Sequence, residues 1–529
     1  MHFYRIVQIS TLIVFIAVVT VFASGCGGSG GTSGGTGGGT GALTTPTVTV
    51  KPASSSATQG QTLSATVTVS GSSSTPTGSV ALVSGSYASS LTALSSGSAA
   101  VSVPAALLAA GNDTLTAYYT PDVASSNTYN SASGTASVSI TAIAAAPSVT
   151  ATSVTYPTVD APFQAIVSSS GNVYVGVSGS GVQVFGPGAG GLTPLCVNAL
   201  PSSVSGEGGS ASNVTILPNG IDLATGIGSP GVVFYNLAAL NTCTATGYVV
   251  SQGSIASDQG SMQVAVTPDG KYAFVSNEYG VAAGATTEGN IGVVQLQYDA
   301  SGDVSTGTTL LGQISTGGTA IAGMTLSPDG TRLYVTTEIA ASTAPNGSTN
   351  PILSENDCVQ AVGGTPQLNG LLTVINVATA ESSPGPSAIL ATIDAGCSPV
   401  RMAETADEST LWVAARGDNR VLAFSTGMLE FNPANALLGY ASTGGTAPVG
   451  IKLFHSGQLL AVANSNRFGA GPTANATILY VGSPLSASVV QTVSTGLFPR
   501  EFWVGSDDAT LYLTNYDSDT LQVISTAVQ

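Results

Sequence analysis

Val264-Ala265-Val266-Thr267-Pro268-Asp269-Gly270-Lys271-Tyr272-Ala273-Phe274-Val275 and Met324-Thr325-Leu326-Ser327-Pro328-Asp329-Gly330-Thr331-Arg332-Leu333-Tyr334-Val335 are two copies of one pattern. Each runs apolar, breaks at Pro-Asp-Gly, and runs apolar again. That is a strand, a tight turn and a second strand. Weaker copies turn at Ser169-Ser170-Gly171, Pro218-Asn219-Gly220, Ala406-Asp407-Glu408, His455-Ser456-Gly457 and Ser506-Asp507-Asp508. The middle turn residues fall at 170, 219, 269, 329, 407, 456 and 507, in steps of 49, 50, 60, 78, 49 and 51. A third apolar strand follows each pair, as at Val182–Phe185, Ile291–Gln295 and Leu371–Asn376. A unit this small buries its faces only against its neighbours. Seven such units predict a seven-bladed β-propeller over residues 143–529. The last unit stops at Gln529 without a fourth strand, and Val149–Val159 is strand-like with no partner of its own. That segment is expected to complete the last blade and close the ring, leaving no open edge.

The repeat also sets a register. Six positions before each middle turn residue stand Gln164, Asn213, Gln263, Gly323, Arg401, Gly450 and Glu501. The innermost strand of each blade begins there, at the mouth of the central channel. Gln164, Asn213, Gln263, Arg401 and Glu501 are polar in a chain of which 7% is charged. They line either a solvated channel or a ligand site, with Gly323 and Gly450 leaving room. Apolar neighbours Met262, Val400, Phe502 and Trp503 fit packing between blades. Arg401, Arg416, Arg420, Arg467 and Arg500 crowd into the last three blades, with Glu404, Asp418, Glu501, Asp517 and Asp519 nearby. They form local ion pairs, such as Asp418 with Arg420, or an anion-binding patch, since guanidinium forks fit carboxylates and phosphates. The step of 78 places extra chain in the fourth blade, roughly 338–369, a length usual for a functional loop.

Upstream, residues 44–142 alternate with period two at Thr47–Val50, Leu63–Val69 and Ala99–Val103, separated by turn-rich pieces. Short, evenly spaced strands over about one hundred residues predict a β-sandwich, so the whole chain is all-β. Residues 1–25 have a basic Arg5, an apolar run from Ile6 to Phe22, and Ala23-Ser24-Gly25 before Cys26, the marks of a signal peptide. Residues 26–43 are mostly Gly, Ser and Thr, a flexible tether.

Three resemblances follow from these residues. Ala23-Ser24-Gly25-Cys26 resembles the lipobox of bacterial lipoproteins, although Ala23 stands where that family usually has Leu. The resemblance implies acylation of Cys26 and anchoring in the cell envelope, periplasmic or surface-facing; without acylation the chain would be secreted. Pro76-Thr77-Gly78-Ser79-Val80, Gly111-Asn112-Asp113-Thr114-Leu115-Thr116-Ala117-Tyr118-Tyr119 and Asn127-Thr128-Tyr129-Asn130 resemble a bacterial Ig-like repeat, whose members usually serve as spacers or adhesion modules. The repeats of residues 150–529 resemble the YVTN-type and lactonase-like seven-bladed propellers. That resemblance is specific for fold and weak for activity.

Composition excludes several classes. The 27 acidic residues against 10 basic ones, a net charge of −17, argue against nucleic acid as a partner. His455 is the one histidine beyond the signal segment, so a zinc site built on several histidines is excluded. Asp517 and Asp519 alone do not complete a Ca²⁺ shell, and no sequence such as CxxCH indicates haem. No metal or cofactor is therefore expected. Cys196, Cys243, Cys358 and Cys397 allow three disulfide connectivities, and their spacing does not choose among them. The expected function is envelope-anchored, non-enzymatic binding or scaffolding of an unknown protein, glycan or small molecule. The alternative is a lactonase-like hydrolase working at the channel mouth.

Overall fold

The computed structural model describes residues 43–529 apart from 60, 86, 143–145, 202–209, 228–230, 253–259, 279–287, 342–357, 360–365, 368, 468, 470–472 and 485–486. The signal, the tether and Cys26 lie outside the described residues. Among the described residues, seven four-stranded antiparallel sheets follow one another along the chain from Pro162. Their innermost strands are Pro162–Val167, Ala211–Ile216, Ser261–Val266, Gly318–Leu326, Pro399–Glu404, Pro448–Phe454 and Pro499–Val504. Each neighbours the next, and the seventh neighbours the first, so the sheets form a ring. This is the predicted seven-bladed propeller.

The turn chemistry explains the clearest repeats. In blade three the Asp269 carboxylate accepts from the Thr267 hydroxyl at 2.7 Å and from the Lys271 amide at 3.1 Å. Gly270 follows at φ +70°, a conformation that costs glycine little. Blade four repeats this with Ser327, Asp329 and Gly330. Between blades the apolar side chains close together. Phe274, Ile291, Val293, Leu333, Val335 and Ile375 form one such seam between blades three and four.

The last blade is completed as expected. Strand Val149–Pro157 pairs antiparallel with the C-terminal strand Thr520–Val528, from Val149 opposite Val528 to Pro157 opposite Thr520. It is the outermost strand of that sheet. Apart from buried Val149 it is mostly exposed, so it contributes chiefly ladder hydrogen bonds.

Ahead of the ring, a three-stranded sheet and a six-stranded sheet share one core built on Val67, Leu82, Val103, Leu115 and Tyr119. The predicted strands are all present, the longest being Gly111–Pro121 and Ala132–Thr141. This module packs on blades four to six at the end of the ring that carries the Pro-Asp-Gly turns. Ala88 is buried with Tyr334, Met428 and Leu429 of the propeller, and the Tyr118 and Phe431 rings lie 6.1 Å apart.

Cys196 is bonded to Cys243, which ties the outer strand of blade one to the end of a short helix in blade two. Cys397 is also in a disulfide. In blade four the second strand runs to Ala340, so the extra chain starts after Ala340 and not at Glu338. Most of that insertion lies outside the described residues.

Candidate functional site: the arginine-lined channel mouth

All seven innermost strands lose register with their second strands at the same place, between Pro162 and Gln164 in blade one and between Pro499 and Phe502 in blade seven. Such a bulge leaves an extra residue outside the ladder and re-aims its side chain. The predicted ring residues lie within this break or directly after it. Ser398, Ala447 and Phe498, each directly before a proline, are held at φ +47° to +50° to make that entry. This is an unfavourable conformation for residues with a Cβ.

The innermost strand is an edge of its sheet, and the carboxamides of the ring take up one backbone amide in each of blades two to four. Gln164 Oε1 accepts from the Val214 amide at 3.2 Å, Asn213 Oδ1 from Val264 at 3.1 Å, and Gln263 Oε1 from Met324 at 2.6 Å. Each donor is the residue after the ring position of the next blade. Asn213 also donates to Gln164 Oε1. The three amides therefore staple blades one to four in sequence. Gly323 and Gly450 do not leave room for a ligand, as the sequence suggested. A Cβ on Gly323 would lie 1.7 Å from the Val400 carbonyl oxygen, and one on Gly450 2.3 Å from that of Arg500. The neighbouring backbone already fills that space.

Arg401 takes the corresponding place in blade five. Its Nη1 donates to the Ala322 carbonyl of blade four, and its Nε is paired with Glu501 of blade seven. Both side chains are buried. The pair therefore reaches over blade six, where Gly450 has no side chain to intervene.

A second tier completes the mouth. Nine positions after the middle turn residues stand Glu278, Arg416 and Tyr516, directly after their second strands, and Glu338, near the end of the longer second strand of blade four. Arg467 comes from the link after the second strand of blade six. Arg416 is buried and paired with Glu338. Arg401, Arg416, Arg467 and Arg500 thus line one cavity with Glu278, Glu338, Met262 and Phe498, drawn from blades three to seven. The cavity measures about 30 Å³, the space of one water-sized group. Met262 belongs to this lining rather than to a seam, Val400 is buried in the seam between blades five and six and also borders the cavity, and Phe502 is buried in the seam between blades six and seven.

Arg500 is the most unusual of these groups. It is 9% exposed, and its guanidinium carbon lies 4.3 Å from the centroid of Phe163, 5.2 Å from Tyr516 and 5.7 Å from Phe498. Burial, with the charge of Arg401 adding to it, lowers its pKa to about 10, so it stays cationic at neutral pH. Glu278 titrates near neutrality. Burial raises it to about 7, the charge of Glu338 adds to the rise, and Arg500, Arg401 and Arg467 oppose it.

Other predicted pairings are not formed. Asp418 accepts the Cys397 amide at 2.9 Å, and Arg420 lies outside the mouth, 4.5 Å from the Tyr440 ring centroid. Glu404 sits at the far end of its strand, where Tyr334 donates to it at 3.2 Å. No group of three potential metal ligands occurs among the described residues. A larger cleft of about 670 Å³ lies between the N-terminal module and blades four and five, and its Arg332 is engaged by Glu430 through two bonds of 2.6 and 2.9 Å.

No protein-family model and no curated protein matches the chain. Solved structures similar in fold include the hydrazine synthase of Kuenenia stuttgartiensis, at 17% identity, 70% of this chain, 96% of that one and TM-score 0.46. The periplasmic gluconolactonase of Pseudomonas aeruginosa aligns at 17% identity over 70% of this chain and 92% of its own, TM-score 0.46. A chain of the mitotic checkpoint complex aligns at 11% identity over 70% and 90%, TM-score 0.48. No function passes from these proteins to this one. What the seven sheets and the bulged ring establish is a β-propeller with a charged channel mouth.

Proposed function

We propose that this chain is an exported, envelope-anchored binding protein that presents the channel mouth of its propeller to a ligand. Acylation at Cys26 and the tether of residues 26–43 supply the anchor. The module of residues 44–142, read as an Ig-like spacer, acts as a stand that grips the turn-bearing end of the ring. The observation that carries the reading is the convergence of four arginines and three glutamates on one mouth in a chain with 37 charged residues in all. Charges are otherwise scarce here, and burying them is costly unless they are paired or used.

Two measurements test this. Incorporation of a fatty-acid analogue should be seen in the wild type and lost in Cys26→Ala; absence in both removes the anchor. Small polar ligands should raise the melting temperature of the full chain, and Arg467→Gln should remove the shift.

One observation favours a hydrolase as the second reading. A carboxyl that titrates near 7 beside arginines is suited to general acid or base work. That assigns the role to Glu278 rather than to Glu501, which is held by Arg401. A panel of aliphatic and sugar lactones, with and without Ca²⁺, decides. The binding reading expects no turnover, and turnover abolished by Glu278→Gln would replace it.

A further inference from the structure

Taking the channel mouth as the binding face, we propose that it recognises an oxyanion, the carboxylate or phosphate end of a small polar molecule, gripped between Arg467 and Arg500. Two of the four arginines are already committed, Arg401 to Glu501 and Arg416 to Glu338. Among the described residues no ion pair reaches Arg467 or Arg500. Arg500 is the stronger evidence. It is more than nine-tenths buried, it lines the cavity, and its Nε has no hydrogen-bond acceptor.

A buried guanidinium without an acceptor is destabilising. The three rings around Arg500 offset part of that by facing its cation. They do not serve its N–H groups, because those donors lie in the guanidinium plane and point outward at its edge. What matches that edge is a planar or tetrahedral group with two acceptor oxygens. Arg467 approaches the same Phe498 ring, 5.9 Å from its centroid, and is exposed, so it can close on the outer side of such a group.

Size and charge narrow the ligand. The cavity holds one water-sized group, so one oxygen of an oxyanion terminus enters and the rest of the molecule stays outside, within reach of exposed Arg467. Glu278, in the same lining, becomes a neutral hydrogen-bond donor once protonated, which leaves the charges of Arg467 and Arg500 unopposed. A chain of net charge −17 repels anions elsewhere, so any affinity for them must be local.

The test is isothermal titration of the full chain with inorganic phosphate and, separately, acetate, against chloride at equal ionic strength. Saturable binding of at least one oxyanion is expected, weakened at least tenfold in Arg467→Gln and in Arg500→Gln. It should be unchanged in Arg420→Gln, whose side chain lies outside the mouth. Phosphate and acetate differ in charge and geometry, so their relative affinities tell a phosphate end from a carboxylate end. Arg467 is exposed, so its variant tests the idea even if Arg500→Gln misfolds. Neither oxyanion binding beyond chloride, or binding indifferent to Arg467→Gln, overturns the proposal. A neutral sugar or peptide that binds at the mouth without competition from phosphate would also overturn it, while leaving the binding face intact.

Discussion

The two ends of the ring are built from the same repeat and treat charge in opposite ways. At the mouth the paired arginines are buried and held by other blades: Arg401 bonds to blades four and seven, and Arg416 to blade four. At the turn-bearing end they are acidic and half in solvent. Asp329, Asp407, Glu408 and Glu430 surround Arg332, and the Arg332–Glu430 pair has side chains 25% and 40% exposed. The paired charges of the mouth lie in the buried interior between blades, whereas those of the turn-bearing end lie in turns, at the start of a second strand and on a short helix, where solvent reaches them or the N-terminal module covers them. The end of the ring on which a paired charge falls thus decides whether it is buried or half in solvent.

The sharpest test sets one ion pair against the other. Glu501→Gln strands Arg401 in the interior and should cost roughly 3–5 kcal/mol of unfolding free energy. Glu430→Gln at the other end should cost about 1 kcal/mol or less. Urea titrations of both variants check this, and equal losses would erase the distinction between the ends. Next in size, Gly323→Ala should cost about 1–3 kcal/mol, because its Cβ would collide with the Val400 carbonyl. Gly385→Ala should cost much less, since no atom lies within 4 Å of a Cβ there.

The pH response links the ends. Burial raises Glu278 at the mouth to about 7 and Glu404 at the other end to about 8. The folded state therefore binds more protons than the unfolded one, in which these carboxyls titrate near their ordinary values. The sign is that stability falls as pH rises from about 4.5 through 7 and 8. The urea midpoint should drop between pH 5 and pH 8, and less so in Glu404→Gln. At the mouth, the affinity for acetate, whose own charge is constant over this range, should weaken over pH 6 to 8 in the wild type and stay flatter in Glu278→Gln. Another small effect concerns the docked module. A double-mutant cycle on Tyr118→Ala and Phe431→Ala should give a coupling of about 0.5–1.5 kcal/mol.

Much of the architecture was legible in the sequence, because blade order depends on local signals. The turn spacing marked all seven sheets, and the unpaired run at Val149 marked the ring closure. The ring of Gln164, Asn213, Gln263, Arg401 and Glu501 was found by register alone. The stapling role of its carboxamides was not, since the donors are backbone amides about 50 positions away on the next blade. Glu278, Glu338 and Arg416 were not assigned to the mouth as a tier. Counting forward nine positions from each turn as well as back six would have aligned them. Arg467 falls outside that count, standing eleven positions after its turn, and was singled out only as one of the arginines crowded into the last three blades. The glycines were misread for a related reason. An absent side chain reads as space, and only the fold shows that the next strand's backbone occupies it.

The closing strand has a consequence for how the molecule is made. Thr150 and Ala527 are hydrogen-bonded across 377 positions of sequence, so one of the first strands of the ring to be synthesised waits for the last. Contacts this distant form late, because the intervening chain must be ordered before they can hold. A chain that stops short of Thr520 has no partner for Val149–Pro157 and keeps an open edge on both sides of the gap. Closure of the ring therefore depends on its last strand being present, whatever the order in which the other blades form.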